Sequence, residues 1–266
     1  MSDTDQSGDA ASVEVRTYFV REHNALVARA EFSDLYVDYY LHQGQLGVQH
    51  SPEHDQLFKE ALAAMTLHCA SRPWSESHAW TVHFQRPLLN LFVTGDNEAG
   101  TVVGQIFTEN VKDTGRNLFL ADWVKNRVPA RRSSVEFTGS DPFRAVEAFY
   151  SASEQRPARL FRYDEEDFVF VAAQPDCDFD WFNGLDDEAI RSLDKNATLS
   201  LLETRRYRWH CGCTEERMLQ VLSAPMKSDP EGLFGEDPVL RMRCPRCGRR
   251  YVITRETLEA YIAARQ

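Results

Sequence analysis

Four cysteines near the C-terminus constrain this chain more than any other feature. They form two close pairs, Cys211-Gly212-Cys213 and Cys244-Pro245-Arg246-Cys247. Two thiol pairs brought together from distant sequence are a usual ligand set for structural zinc, which takes four thiolates in a tetrahedron. In the second pair Pro245 favours a tight turn, and the following Gly248 permits a positive φ. The sequence therefore predicts one zinc ion held by Cys211, Cys213, Cys244 and Cys247.

The other candidate ligands fit different roles. Cys69 lies on the apolar face of a predicted helix, which is typical of a core residue, and Cys177 is an incidental thiol in an acidic loop. His210 adjoins the first pair and can replace a cysteine, although four thiols already complete the tetrahedral set. A purely structural zinc site without a redox switch is the alternative interpretation.

Length and composition favour a folded protein of two domains. The chain has 266 residues, of which 42% are hydrophobic, which is enough for one sizeable core and a small satellite. Residues 1–12 are polar and acidic, so we expect a disordered tail without the apolar stretch of a secretory signal. No apolar run is long enough to span a bilayer. We therefore expect a cytoplasmic protein with no membrane partner, in which close cysteine pairs bind metal or respond to oxidants.

Charge is unevenly distributed along the chain. The net charge is −11, but from residue 206 onward 11 Lys and Arg oppose 8 Asp and Glu, which leaves 19 against 33 before that point. An acidic body makes nucleic acid an unlikely partner. Six arginines lie close in sequence to the cysteines, and we interpret them as compensating the −2 charge of a zinc tetrathiolate, with phosphate binding as the alternative: Arg208, Arg217, Arg243, Arg246, Arg249 and Arg250.

Hydrophobic periodicity predicts a mixed α and β body over residues 13–178. We expect a strand or irregular strand pair at Ala30–Tyr40, a helix from Pro52 to Cys69, and a helix capped by Asp141 with Pro142 in its first turn. Further strands are predicted at 80–85, 90–95, 101–108, 118–124, 133–138, 159–163 and 167–173, with a hairpin turn at 95–97. Because strands and helices do not alternate regularly, the fold class is α+β.

Residues 179–205 have a different character and are predicted to form a helical linker. Asp186 can cap a first short helix with Leu185, Ala189, Ile190 and Leu193 on its apolar face, and a second would carry Leu199, Leu201 and Leu202. Isolated helices below about 12–15 residues are marginal in water, so both need a surface to pack against. In the zinc domain, 206–266, we expect a helix capped by Thr214, a strand at Tyr251–Thr254 and a final helix capped by Thr254.

The cysteine spacing resembles that of the heat-shock protein 33 family of redox-regulated holdase chaperones. The segments HCGCTEER (210–217) and RCPRCGRRY (243–251) are similar to the family's Cys-x-Cys and Cys-x-x-Cys motifs. The segment DPFRAVEAFYSASEQRPARLF (141–161) looks like the family's helix followed by its strand. The resemblance covers residues 141–262, whereas the N-terminal half diverges from the family pattern.

This resemblance implies a mechanism. In the family the reduced, zinc-bound form is inactive. Oxidation joins near neighbours, which here are Cys211–Cys213 and Cys244–Cys247, releases zinc and unfolds the linker. The protein then binds unfolding clients through the core and linker, and the activated form dimerises.

Other functional classes are less well supported by the sequence. No phosphate-binding loop, nucleophile elbow or His-Glu-x-x-His helix is present, and four thiols leave no open zinc position, so we do not expect an enzyme. The alternative is a zinc ribbon without a redox switch that binds RNA, the ribosome or another protein. Salt-dependent RNA affinity of the reduced protein would favour that alternative.

Overall fold

The structure, a computed structural model, describes residues 11–125 and 128–265; residues 1–10 of the predicted tail at 1–12 lie outside them. The chain divides into two compact units, residues 1–210 and 211–266. The predicted zinc domain began at residue 206, but residues 206–209 belong to a strand of the first unit. The fold class is mixed α and β, as predicted.

The first unit contains a ten-stranded sheet in the order β7-β6-β3-β4-β5-β10-β1-β2-β9-β8. All described pairings are antiparallel except β5–β10, which is parallel and joins only Thr101 to Arg208 and Val102 to Trp209. The strands are β1 (Val13–Val20), β2 (Ala25–Glu31), β3 (Glu76–Phe84), β4 (Leu89–Asp96), β5 (Thr101–Phe107), β6 (Asn117–Lys125), β7 (Val128–Phe137), β8 (Ala158–Arg162), β9 (Asp167–Ala173) and β10 (Leu199–Trp209).

Helix α2 (Pro52–Ala70) is the centre of the core. Its first turn is fixed by Ser51, whose side chain accepts a hydrogen bond from His54 N, and by Pro52 at the first helical position. Every residue from 58 to 70 is buried, because the helix packs against strands from both halves of the sheet. The predicted helix at Pro52–Cys69 is confirmed.

The strand prediction at Ala30–Tyr40 is wrong. Strand β2 ends at Glu31, and helix α1 (Ser33–Leu46) follows. Leu35, Tyr36 and Tyr39 are buried at helical spacing, so an apolar pattern that also fits a short alternating strand belongs to a helix. The helix ends at Gly47, whose φ of 63° is in the left-handed region.

The other predicted strands are confirmed within a few residues, but the hairpin turn is displaced. Residues 95 and 96 still belong to β4, and the turn lies at 97–100. Helix α3 (Pro142–Phe149) is capped by Asp141, as predicted, and continues as a π-helical turn at Tyr150–Glu154.

Strand β9 is buried on both faces of the sheet. Phe168, Phe170 and Ala172 belong to the core formed around α2, whereas the alternate residues Val169 and Val171 belong to a second apolar cluster. On that second face we call the sheet residues of the cluster the floor: Val20, Ala25, Val27, Phe161, Val169, Val171 and Ala173.

Residues 178–198, which we call the strap, cover the floor. They form three short helices, α4 (Phe179–Gly184), α5 (Asp187–Arg191) and α6 (Leu193–Asn196). Phe182, Leu185, Ile190 and Leu193 are buried in the same cluster as the floor. The predicted cap Asp186 is confirmed, because its side chain accepts from Ala189 N at 2.8 Å.

The second predicted linker helix is wrong, because Leu199, Leu201 and Leu202 lie in strand β10. That strand pairs with β1 from Val13–Tyr207 to Val20–Leu199. Leu201 and Leu202 are 57% and 55% exposed, so these leucines form no buried helical face. Pairing with a distant strand outweighs the local apolar pattern here.

The second unit combines three helices with a hairpin. Helices α7 (Glu215–Ser228), α8 (Pro230–Phe234) and α9 (Arg255–Ala263) accompany strands β11 (Val239–Arg243) and β12 (Arg250–Thr254). Thr214 and Thr254 cap α7 and α9, as predicted. Its small apolar cluster consists of Met218, Leu219, Leu222, Met226, Phe234, Ile253 and Leu258.

Candidate metal centre

The four cysteines of the two predicted pairs converge in the second unit. The Sγ atoms of Cys211, Cys213, Cys244 and Cys247 all lie within 4.8 Å of one another. The distance from Cys211 Sγ to Cys244 Sγ is 3.6 Å, and that from Cys213 Sγ to Cys247 Sγ is 3.5 Å. Four sulfurs at this separation form a compact donor set for a single soft cation.

Local backbone geometry presents these thiols. Cys211 and Cys213 lie in the loop between β10 and α7, and the intervening Gly212 has a φ of 62°. Cys244 and Cys247 lie in the turn between β11 and β12, where Gly248 N donates to Cys244 O at 2.9 Å. Gly248 has a φ of 78°, so the positive φ predicted for this residue is confirmed.

Two side chains connect the cysteine pairs to each other. Arg246 Nη1 donates to Cys211 O at 3.2 Å, and Tyr251 Oη donates to Cys213 Sγ at 3.0 Å. Each contact joins a residue near the second pair to a residue of the first. Tyr251 was predicted only as a strand residue, since sequence pattern does not reveal a hydroxyl directed at a sulfur.

The close approach of four thiols perturbs their ionisation. Hydrogen bonds from Cys211 and Cys247 hold the pKa of Cys244 far below its usual range. The hydrogen bond with Cys244 raises the pKa of Cys211 to about 12, and hydrogen bonds with Cys211 and Cys244 raise the pKa of Cys247. One thiolate thus makes its neighbours harder to ionise, and a bound cation relieves that repulsion.

The remaining candidate ligands lie elsewhere. His210 N donates to Val102 O, which continues the pairing of β10 with β5 in the first unit. Cys69 is fully buried in the core, as predicted, and burial raises the pKa of its thiol. Cys177, predicted as an incidental loop thiol, is 7% exposed within the floor and strap cluster.

A buried histidine pair in the core was not predicted from sequence. His68 Nε2 and His78 Nδ1 are 3.1 Å apart, and His68 Nδ1 contacts Tyr150 Oη. Burial lowers the pKa of His68 well below its usual value and lowers that of His78 to about 4.

Taken together, the fold and the cysteine cluster define a class: a mixed α and β protein with a separate C-terminal unit that carries a four-thiol centre. Residues 170–254 match the model of the family described as Hsp33 protein. A relative named "33 kDa chaperonin" from Acholeplasma laidlawii is 30% identical over 83 residues, which is 31% of this chain and 28% of the relative. The matched region thus spans little more than a quarter of that relative's length.

A solved structure has the same fold across nearly the whole chain. The crystal structure of the 33 kDa chaperonin (heat shock protein 33 homolog) from Thermotoga maritima superposes with a TM-score of 0.71. It is 14% identical, and the match covers 95% of this chain and 98% of that one. The resemblance to the heat-shock protein 33 family that the cysteine motifs indicated is confirmed. Within residues 11–125 and 128–265, no helix is long and apolar enough to cross a membrane.

Proposed function

We propose that this chain is a cytoplasmic, redox-regulated holdase chaperone. In the reduced state its four cysteines hold zinc and the protein is inactive; after oxidation it binds unfolding proteins and prevents their aggregation. The observation that carries the proposal is the convergence of the Sγ atoms of Cys211, Cys213, Cys244 and Cys247 within 4.8 Å. The similarity to proteins named chaperonin supports the chaperone half.

The donor set fits zinc. Four sulfur ligands suit a borderline-soft cation with tetrahedral preference, and they complete its coordination. Zinc bound there would join Cys211 and Cys213 to a second pair that lies beyond residues 214–243, so its binding energy would be folding energy of the unit. The apolar cluster of this unit has only seven buried members, which is little to stabilise a domain of this size.

Oxidation of the thiolates removes the ligands. Two molecules of hydrogen peroxide accept two electrons each, so four thiolates and four protons yield two disulfides and four waters, and the ion is released. For each disulfide, two thiolates form one S–S bond and give up one electron pair, which goes to a peroxide and breaks its O–O bond. Peroxide is thus the oxidant that the step requires.

The pairing of the disulfides decides what happens next. The family resemblance implies Cys211–Cys213 and Cys244–Cys247, which close very short loops and remove little entropy from the unfolded chain. The sulfur separations are compatible with cross-pairing as well, since Cys211–Cys244 and Cys213–Cys247 are also close. We propose the near-neighbour pairing that the family resemblance implies. As a consequence, the two ends of the unit are left unconnected.

The strap and floor provide the surface for clients. The strap helices have six, five and four residues, so they depend on packing for their stability. We propose that the strap unfolds when the cysteine unit unfolds, and that the floor and the strap's apolar residues then bind unfolded proteins. The same exposed surface is available for homodimer formation by the oxidised protein.

An aggregation assay tests this proposal. Purified reduced protein is treated with peroxide, zinc release is measured with a chromogenic chelator, and light scattering of thermally unfolding citrate synthase is followed. We expect one zinc per chain to be released and scattering to be suppressed only after oxidation. Release without suppression would refute the chaperone function, and salt-dependent RNA binding by the reduced protein would favour the zinc-ribbon alternative.

A further inference from the structure

We propose that the turn between β1 and β2, residues 21–24, is a latch that holds both ends of the strap and sets how easily the strap opens. The assignment of the latch rests on contacts within the first unit. Its consequence for chaperone activation rests on the function proposed above.

The first end of the strap is held by His23. His23 Nδ1 and Asp178 Oδ2 are 3.0 Å apart, and Asp178 N donates to His23 O at 3.1 Å. The His23 imidazole stacks on the Trp181 ring with centroids 4.3 Å apart and planes 1° from parallel. Asp178 also caps α4, because its Oδ1 accepts from Trp181 N. One histidine therefore contacts both the cap and the first turn of the strap.

The neighbouring Asn24 extends this contact just before the strap begins. Asn24 Nδ2 donates to Asp176 O at 3.0 Å, and Gln174 N donates to Asn24 O at 3.0 Å. Asn24 and Asp176 both have left-handed backbone conformations, with φ of 46° and 62°. Asn and Asp tolerate this conformation better than most residues, so the two turns can face each other closely.

The second end of the strap is held by the other half of the same turn. Arg21 N donates to Thr198 O at 3.3 Å, and Thr198 N donates to Glu22 Oε2 at 3.0 Å. Arg21 Nε donates to Ser200 Oγ at 2.6 Å, just beyond the strap. The bond from Thr198 lowers the pKa of Glu22. Four consecutive residues thus contact both ends of a segment of about twenty residues.

This arrangement makes the strap a closed loop. Because both ends of the strap are fixed, the strap loses less conformational entropy when it packs onto the floor. Burial of Phe182, Leu185 and Ile190 therefore has a smaller entropy cost to offset. Releasing either end lengthens the mobile segment and weakens the packing of all three helices. The latch is therefore a positioning element for strap closure, and its residues lie outside the main core.

Hydrogen exchange of the full-length, reduced, zinc-loaded protein tests the latch. The variant His23→Ala/Trp181→Ala removes the hydrogen bond to Asp178 and the ring stack. We expect amides at 182–197 to exchange about five-fold faster, which corresponds to the contribution of about 1 kcal/mol from a stacked pair of rings. Amides of α2 should be unchanged, which shows that the first unit is folded. Trp181→Phe keeps an aromatic ring and should restore most of the protection.

Lys195→Ala is the matched control, because Lys195 is an exposed strap residue whose side chain makes none of the described hydrogen bonds or ion pairs. It should leave strap exchange unchanged. Unchanged strap exchange in the double variant, with α2 protected, would overturn the latch. A general increase across α2 and strap alike would also overturn it, because the two residues would then have a merely structural role.

The same variants separate the latch from the proposed function. If both hold, the double variant suppresses citrate synthase aggregation at a lower peroxide dose, while its zinc-release curve matches that of the unmodified protein. If strap exchange rises but neither protein suppresses aggregation at any dose, the latch stands and the proposed chaperone function falls.

Discussion

At the scale of single residues, the cysteine unit depends on side chains that the motifs identify and on others that they do not. The two thiol pairs and the positive φ at Gly248 follow from residue type and spacing. The hydroxyl of Tyr251 at Cys213 Sγ and the guanidinium of Arg246 at Cys211 O do not, because each contact depends on the folded path of β12 and its turn. The candidate ligands can be identified from local sequence, whereas the side chains that surround them can be identified only from the folded structure.

If the four cysteines hold zinc as proposed, removal of any one of them should abolish zinc binding. In Cys247→Ser, zinc content should fall from about one equivalent per chain to near zero, because a serine hydroxyl is a poor zinc ligand. Atomic absorption on the purified protein measures the content. Cys177→Ser removes a thiol outside the four-cysteine centre and should retain a full equivalent of zinc. Equal loss of zinc in both variants would contradict the assignment of Cys247 as a zinc ligand.

The buried histidines make the stability of the core depend on pH. The pKa values of His68 and His78 are lowered by burial, that of His78 from 6.5 to about 4. The unfolded state therefore binds protons first, so stability is full above about pH 6.5 and falls as the pH drops towards 4. For His78 alone the loss amounts to about 3 kcal/mol, taking 1.36 kcal/mol per unit of pKa.

Urea unfolding of the reduced protein at pH 7.5, 6.0 and 5.0, followed through exchange-resistant amides of α2, measures this dependence. In His78→Gln the glutamine can still hydrogen-bond to His68 but cannot take up a proton. The urea midpoint of this variant should therefore fall less steeply as the pH is lowered. A variant with the same pH slope as the unmodified protein would show that His78 does not carry the effect.

At the scale of helices and strands, capping residues were the most reliable guide. Asp141, Asp186, Thr214 and Thr254 all cap the helices predicted for them. The errors lie in two apolar segments. The apolar residues at 30–40 fit the periodicity of a strand as well as that of a helix. At 199–205, pairing with β1 outweighs the helix propensity of the segment. Because a strand is stabilised by a partner distant in sequence, local pattern alone does not identify it.

A charged side chain from strand β8 also holds the strap. Arg159 Nη1 donates to the carbonyls of Phe182, Asn183 and Leu185 at 3.1, 3.2 and 2.6 Å, where α4 ends. A cation at a helix C-terminus bonds carbonyls that have no partner within the helix.

Arg159→Met should destabilise strap closure by about 1.5–3 kcal/mol, the range for hydrogen bonds to a charged donor. The measurement is hydrogen exchange at 182–190 in the reduced protein. Arg144→Met, which removes an exposed bond to Glu147 on α3, is the control and should change strap exchange little. Equal protection in the two variants would contradict the role given to Arg159.

At the scale of the whole molecule, the sequence predicts a core, a linker and a C-terminal domain. It does not predict the order of the strands in the sheet. The last strand of the first unit, β10, lies between β5 and β1, and its two residue pairs with β5 join the two halves of the sheet. Such an order depends on pairings separated by about a hundred residues or more, which local periodicity does not contain.

We propose that the four cysteines keep the strap closed through the zinc ion that they would hold. The decisive experiment is hydrogen exchange of the intact chain before and after stoichiometric peroxide, with released zinc quantified in the same samples. Residues 211–265 and 178–198 should lose protection together with zinc release, while α2 should remain protected. Complete zinc release with the strap still protected as in the reduced protein would contradict it.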